Sequence, residues 1–312
     1  MDFLWLAVGI AVLLLLLLLV GAYFAYRMAF SYRGDQNPDP YSTLSHHPEF
    51  EARRRAYVDK IISLPYESVR ITSRDGLSLF ARYYHVRDGA PLEIQFHGYK
   101  SIAVRDFSAS GEGCYRDGYN LLLVDQRAHG NSEGRVISFG IKERFDCLDW
   151  IDYAIERFGR EQKIILYGIS MEAATVLMAA GESLPDSVVG VIADCPYSSP
   201  IDIIARVARR MHIPMLITRI IAPIGARIFG GFSLLECTPL EAVKRARVPV
   251  LLFHGEADSF VPCEMSRRIA ANNKDVKFVT VPDSGHGFSY LVDTEGYIRE
   301  LHEFVARVTA DR

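Results

Sequence analysis

The stretch Lys163-Ile-Ile-Leu-Tyr-Gly-Ile-Ser-Met-Glu172 carries a short apolar segment into Gly168-Ile169-Ser170, and an alanine-rich run from Ala173 to Ala180 follows. An apolar run, a tight turn and helix-forming residues predict a strand, a sharp turn and a helix, with a serine at the turn. Such a turn strains the backbone at Ser170 and lifts its hydroxyl above the sheet edge, beside the N–H groups of a helix N-terminus. A serine hydroxyl is a weak nucleophile near neutral pH. It needs an imidazole to take its proton and a buried carboxylate to fix that imidazole's tautomer. His286 and Asp258 are the candidates, and they follow in the order Ser, Asp, His that this turn predicts.

Both partners sit where strands should end. Pro249-Val-Leu-Leu-Phe-His-Gly255 reads as an apolar strand, and the Glu256-Ala257-Asp258 turn behind it puts a carboxylate at its C-terminal end. Val276 to Val281 reads as another strand, and Pro282-Asp-Ser-Gly-His-Gly287 carries His286 on a glycine-flanked loop. A tetrahedral intermediate would also need two preorganised donors. Leu92 to Phe96 is a strand running into His97-Gly98-Tyr99, so the backbone N–H of Tyr99 is expected to join that of Met171 as the oxyanion hole. The Tyr99 ring is expected to line the substrate pocket, Glu172 is a further pocket candidate, and Cys195 reads equally as pocket or core.

These residues resemble the α/β-hydrolase family, in its branch of membrane-anchored bacterial serine hydrolases with a short helical cap, near lipases, esterases and serine aminopeptidases. The resemblance runs from about Tyr66 to the C-terminus. Beyond the serine turn it rests on Val124-Asp-Gln-Arg-Ala-His-Gly-Asn-Ser-Glu-Gly134 and on His254-Gly-Glu-Ala-Asp258. It implies an α/β fold with a mostly parallel eight-stranded sheet flanked by helices. In one respect the chain departs from the family: the second residue after the serine is usually glycine, and here it is Glu172. A carboxylate suits the positive end of a helix dipole, but its bulk either reshapes the turn or crowds the pocket.

Asp194 ends the apolar run from Val188 and is a rival acid, read here as structural; Asp283 is only three residues from His286, too local to support the ring from behind. His97, His129 and His254 read as structural histidines near strand ends. Zinc-ligand spacing, a glycine-rich phosphate loop and a nicotinamide fingerprint are all missing from the sequence, so neither metal nor cofactor is expected.

Phe3 to Tyr26 contains no charged residue, and about 20 apolar residues span a bilayer, so a transmembrane helix is expected. A cleaved signal peptide would need a basic start and a small-residue cleavage site, which this stretch lacks. Asp2 precedes the helix and Arg27, Arg33, Arg53, Arg54, Arg55 and Lys60 follow it, so the positive-inside rule places the remainder in the cytoplasm. The five cysteines are odd in number and fit a reducing compartment. The formal net charge of −3 argues against nucleic acid as a partner.

The expected organisation is an anchor over residues 1–29, a linker and juxtamembrane helix over 30–65, and a hydrolase domain over 66–312. Ser31 to His47 reads as linker, Pro48 to Leu64 as helix, and Val104 to Asp117 as a single helix. An insertion at 201–247 should roof the site as a cap. It is apolar and holds eight Lys or Arg against three Asp or Glu, which suits a lid resting on anionic lipid through Arg206, Arg209 and Arg210, or a cap packed on the body. The expected activity is hydrolysis of small-molecule or lipid acyl esters through an acyl-enzyme. Thioesterase and aminopeptidase-like activities use the same machinery, and a catalytically silent membrane-tethered binding module is the alternative of another class.

Overall fold

The computed structural model describes residues 2–35, 39–41 and 48–310. Eight strands form one sheet: β1 Glu67–Thr72, β2 Ser78–Tyr84, β3 Leu92–Phe96, β4 Asn120–Asp125, β5 Ile164–Ile169, β6 Val188–Asp194, β7 Val250–Gly255 and β8 Val276–Val281. Their order is β1-β2-β4-β3-β5-β6-β7-β8. Only β1 with β2 and β2 with β4 pair antiparallel; the pairs from β4 to β8 are parallel. β3, β4 and β7 are buried at every position, as strands covered on both faces must be.

The helices are α1 Asp2–Ala29, α2 Pro48–Ser63, α3 Ala103–Asp106, α4 Ser108–Arg116, α5 Glu143–Phe158, α6 Met171–Ala180, α7 Pro200–Arg210, α8 Met215–Gly225, α9 Pro239–Ala242, α10 Cys263–Ala270, α11 Ser289–Val292 and α12 Thr294–Thr309. A π-turn, Ala226–Gly230, extends α8. All ten residues of α6 are buried, and its apolar side chains divide between a cluster with Trp150, Ile94 and Leu252 and one with Phe139, Tyr197 and Phe232.

The parallel strands end in near register: Phe96 pairs with Gly168, Ile169 with Asp194, Asp194 with Phe253, and Gly255 with Val281. The loops that follow β3, β5, β7 and β8 therefore emerge together at one end of the sheet. That end is where the cap, α7 to α9, sits.

Three expectations change. The helix expected over Val104 to Asp117 breaks at Phe107, whose buried ring packs edge-on against Tyr167 at 5.1 Å and whose backbone leaves the helical region. The start of the expected linker is docked: Ile137 N–H donates to Phe30 O at 2.8 Å, Tyr32 N–H to Arg135 O at 3.0 Å and Gly34 N–H to Ala128 O at 2.7 Å. Phe30 drives this by burying its ring against Phe139 and Phe232. Positions 36–38 and 42–47 of that segment lie outside the described residues. Finally, α2 buries Val58 and Ile61 with Tyr84 and Phe107, which makes it part of the folded body.

α1 includes an apolar stretch, Phe3–Ala29, long enough to cross a membrane. Its side chains are exposed up to Leu17, and from Leu18 onward the helix packs on the cap. Among the contacts there, Tyr23 and Tyr26 lie 5.3 and 5.9 Å from the Phe229 ring.

Candidate active site

Ser170 sits between β5 and α6 with φ 57° and ψ −111°, outside the regions most side chains tolerate. Gly168 makes the turn possible, because a Cβ there would collide with the Glu172 carbonyl and the Ala173 nitrogen. The Ser170 hydroxyl donates to His286 Nε2 at 2.7 Å, and His286 Nδ1–H donates to Asp258 Oδ2 at 2.6 Å. Three side chains from three loops thus form one hydrogen-bonded line. Asp258 is fully buried, while the His286 side chain keeps 23% of its surface exposed.

Asp258 is held from several directions. Its Oδ1 accepts the N–H groups of Phe260 and Val261, each at 2.8 Å. His254, buried behind it, shares its Nε2–H between Val261 O at 2.8 Å and Asp258 Oδ2 at 3.3 Å, while its Nδ1 accepts from the Ser266 hydroxyl at 2.7 Å. Burial alone would raise the Asp258 carboxyl. Hydrogen bonds from His254 and His286, the His286 charge and the Val261 N–H outweigh it and hold the carboxyl down at about 2. Asp258 therefore stays ionised behind His286.

The rival acid is engaged elsewhere. Asp194 Oδ2 accepts from the Tyr297 hydroxyl at 2.9 Å, and the Asp194 carbonyl accepts the Ser170 N–H at 2.8 Å. It supports the turn from below.

The loop after β3 is braced by two buried histidines. His97 donates from Nδ1 to Gly98 O and accepts the Gln126 N–H on Nε2; His129 donates to Arg127 O and accepts the Lys100 N–H at 3.0 Å. Burial lowers the tendency of both to protonate, so they are neutral struts between the loops after β3 and β4. Their tautomers follow from these bonds. Neither the Tyr99 nor the Met171 N–H is bonded among the described residues.

A match to the model of the α/β hydrolase fold covers residues 96–214. The esterase Pf2001 of Pyrococcus furiosus superposes over 90% of this chain and 100% of its own, with a TM-score of 0.66 at 20% identity. The chain has the α/β-hydrolase fold. YqkD of Bacillus subtilis, a protein of uncharacterised function, is 28% identical over 190 residues, 60% of this chain. That match spans 62% of the length of YqkD. The bifunctional esterase/perhydrolase DCH of Acinetobacter calcoaceticus is 21% identical over 276 residues, covering 75% of this chain and 98% of that protein.

Within this fold the three pocket candidates, Glu172, Cys195 and Tyr99, take different positions. Glu172 has no exposed surface, and neither of its carboxyl oxygens has a hydrogen-bond partner among the described residues. Its charged neighbours are Glu143 and Asp146 of α5 and Arg127 of the loop after β4, and the side chain is buried among them instead of lining an open pocket. Burial first, and Glu143 second, push its carboxyl well above the usual range, so Glu172 is carried protonated.

Cys195 is fully buried, with its sulfur within 4.8 Å of the donor atoms of Asp258 and His286. Burial raises its thiol well above the usual value. A protonated thiol beside a carboxylate and imidazole that already share a proton suits packing better than metal binding. Tyr99 is part-buried, with its ring 5.3 Å from Phe139 and its hydroxyl donating to Ala29 O at 2.9 Å. The oxyanion-loop candidate is therefore bonded to the last residue of α1.

Two of the three arginines named for a lipid-facing lid, Arg206 and Arg210, bond the body instead. Arg206 donates to Ser259 O at 3.2 Å and Phe260 O at 3.3 Å, Arg210 donates to Ser259 O, and the Arg210 guanidinium lies over the Phe260 ring. Since Asp258 takes the N–H groups of residues 260 and 261, the loop carbonyls are left facing outward, and α7 caps them. Phe260 in turn lies 5.1 Å from the His286 ring. A cleft of about 790 Å³ lined by Lys163, Val188, Pro249 and Arg245 opens where β5 to β7 begin, at the far end of the sheet from Ser170.

Proposed function

We propose that this protein is a membrane-anchored serine hydrolase that cleaves carboxylic esters of apolar acyl groups. The observation that carries the reading is the hydrogen-bonded line from Ser170 through His286 to Asp258, built on a strained serine. Ser170 Oγ attacks the acyl carbon as its proton passes to His286 Nε2, and Asp258 stabilises the resulting imidazolium. The Tyr99 and Met171 N–H groups receive the oxyanion. His286 then protonates the leaving alkoxide, and water, activated by the same imidazole, releases the acid from the acyl-enzyme. None of these steps calls on a metal or cofactor.

An apolar acyl group is favoured because Met171 packs in one apolar cluster with Phe139, Tyr197 and Phe232, and the part-buried Tyr99 packs against it. The burial of Glu172 favours an active enzyme over a silent binding module, because the side chain that departs from the family pattern takes no part in the hydrogen-bonded line of Ser170, His286 and Asp258. It also leaves the aminopeptidase-like alternative without that carboxylate for a peptide amine. In this reading α1 is an uncleaved anchor, and the basic residues after it place the catalytic body in the cytoplasm.

Purified full-length chain in detergent should be assayed on p-nitrophenyl esters of short and long acyl chains, an acyl thioester and an aminoacyl amide. Ester turnover rising with chain length, and reduced about 10³-fold or more in Ser170→Ala, is the expected outcome. Preference for the thioester would move the assignment to thioesterase. Turnover unchanged in Ser170→Ala would overturn it altogether.

A further inference from the structure

The cap carries an apolar surface that the body does not cover. One side of α8 and its π-turn faces inward, with Thr218, Ala222, Gly225 and Ala226 buried. The other side exposes Leu216, Ile217, Ile220, Ile228 and Phe229, with Leu216 as much as 72% accessible. Of the charges near this surface, Arg219 is paired with Asp202 at 2.8 Å, and Arg227 has a stem long enough to reach a headgroup.

Its position relative to α1 decides what covers it. Gly21 of α1 faces Ile221 of α8, and a Cβ on Gly225 would strike the Ala22 carbonyl, so the two helices touch backbone to backbone there. The apolar stretch of α1 is 27 residues long. At 1.5 Å per residue that is roughly 40 Å, against about 30 Å of hydrocarbon that needs about 20 residues. A span begun at Phe3 ends near Ala22, and one ended at Tyr26 begins near Ala7. In both registers Leu18 to Ala22 lies within the hydrocarbon, and α8 is seated on it.

Resting on the reading of α1 as an anchor, we infer that α8 and its π-turn are embedded in the leaflet on the catalytic side, with phospholipid acyl chains covering the Leu216, Ile217 and Ile220 face. The inner side of the same elements, Ala222 and Ala226, packs in the cluster that holds Met171, next to the nucleophile. The cap then separates the leaflet from the site by a single layer of helix, and the substrate is an acyl ester already dissolved in that leaflet.

Single labels with an environment-sensitive fluorophore at Leu14→Cys, Ile217→Cys, Ile220→Cys and the exposed Lys274→Cys, each in the full chain reconstituted in phosphatidylcholine–phosphatidylglycerol vesicles, test this. The unsubstituted chain gives the signal of the native cysteines. Quenchers are lipids spin-labelled near the headgroup or deep in the acyl chain, and aqueous iodide. The inference expects the Ile217 and Ile220 probes to be quenched several-fold more by the shallow lipid label than by iodide, with Leu14 lipid-quenched and Lys274 iodide-quenched. Ile217 and Ile220 behaving like Lys274 while Leu14 stays lipid-quenched would overturn the embedding and leave the anchor intact. A Leu14 probe open to iodide would remove the anchor itself. Shielding of Ile217 and Ile220 from every quencher would mean that protein covers the face, which also overturns the inference.

Discussion

Glu172 shows how a single residue departs from a family pattern without entering the chemistry. Its carboxyl holds its proton to higher pH in the folded chain than in the unfolded one. Stability is therefore fully present below the ordinary carboxyl range and declines as pH rises above it. Glu172→Gln keeps the shape and removes the titration. Its melting temperature should overtake the wild type's as pH is raised from 5 to 9, with turnover within about threefold of wild type. Parallel melting profiles for the two proteins would show that Glu172 is not carried as the acid. The roles suggested for Ser170, Asp258 and His286 were legible because each lies within a few residues of a strand end and of a glycine. The direction of Glu172 was not legible, since it depends on how α6 packs against α5. His97, His129 and His254 were legible as structural from their placement just before glycines, while the carbonyls and N–H groups they bridge were not.

The strands were readable because buried strands such as β4, β5 and β7 are mainly apolar runs with turn residues beyond them. Composition misled where one residue outweighed its neighbours. Phe107 breaks a helix that its surroundings would continue, and Phe30 docks a segment whose prolines and polar residues read as linker. The α1–α8 contact depends on Gly225, where no larger residue fits against Ala22. Gly225→Leu should force the helices apart at about 1–3 kcal/mol, as overpacking does elsewhere. A lowered melting temperature and faster proteolysis within α7 to α9 would show it. Unchanged values for both would mean that the two helices are not seated on one another.

Across the whole molecule, one end of the sheet gathers the serine turn, the acid loop, the histidine loop, the cap and the end of α1. Tyr99 bonded to Ala29 and Arg206 bonded to the Asp258 loop tie α1 and the cap to that end from two sides. The proposed function, an enzyme that meets its substrate at a membrane, depends on Ser170 being an activated nucleophile. The most direct test is covalent labelling of the full-length chain in membranes by a fluorophosphonate probe, comparing wild type with Ser170→Ala and His286→Ala. The structure leads us to expect one labelled wild-type band, absent in Ser170→Ala and formed far more slowly in His286→Ala. A folded wild-type chain that resists the probe, or a Ser170→Ala chain that labels equally well, would contradict the account.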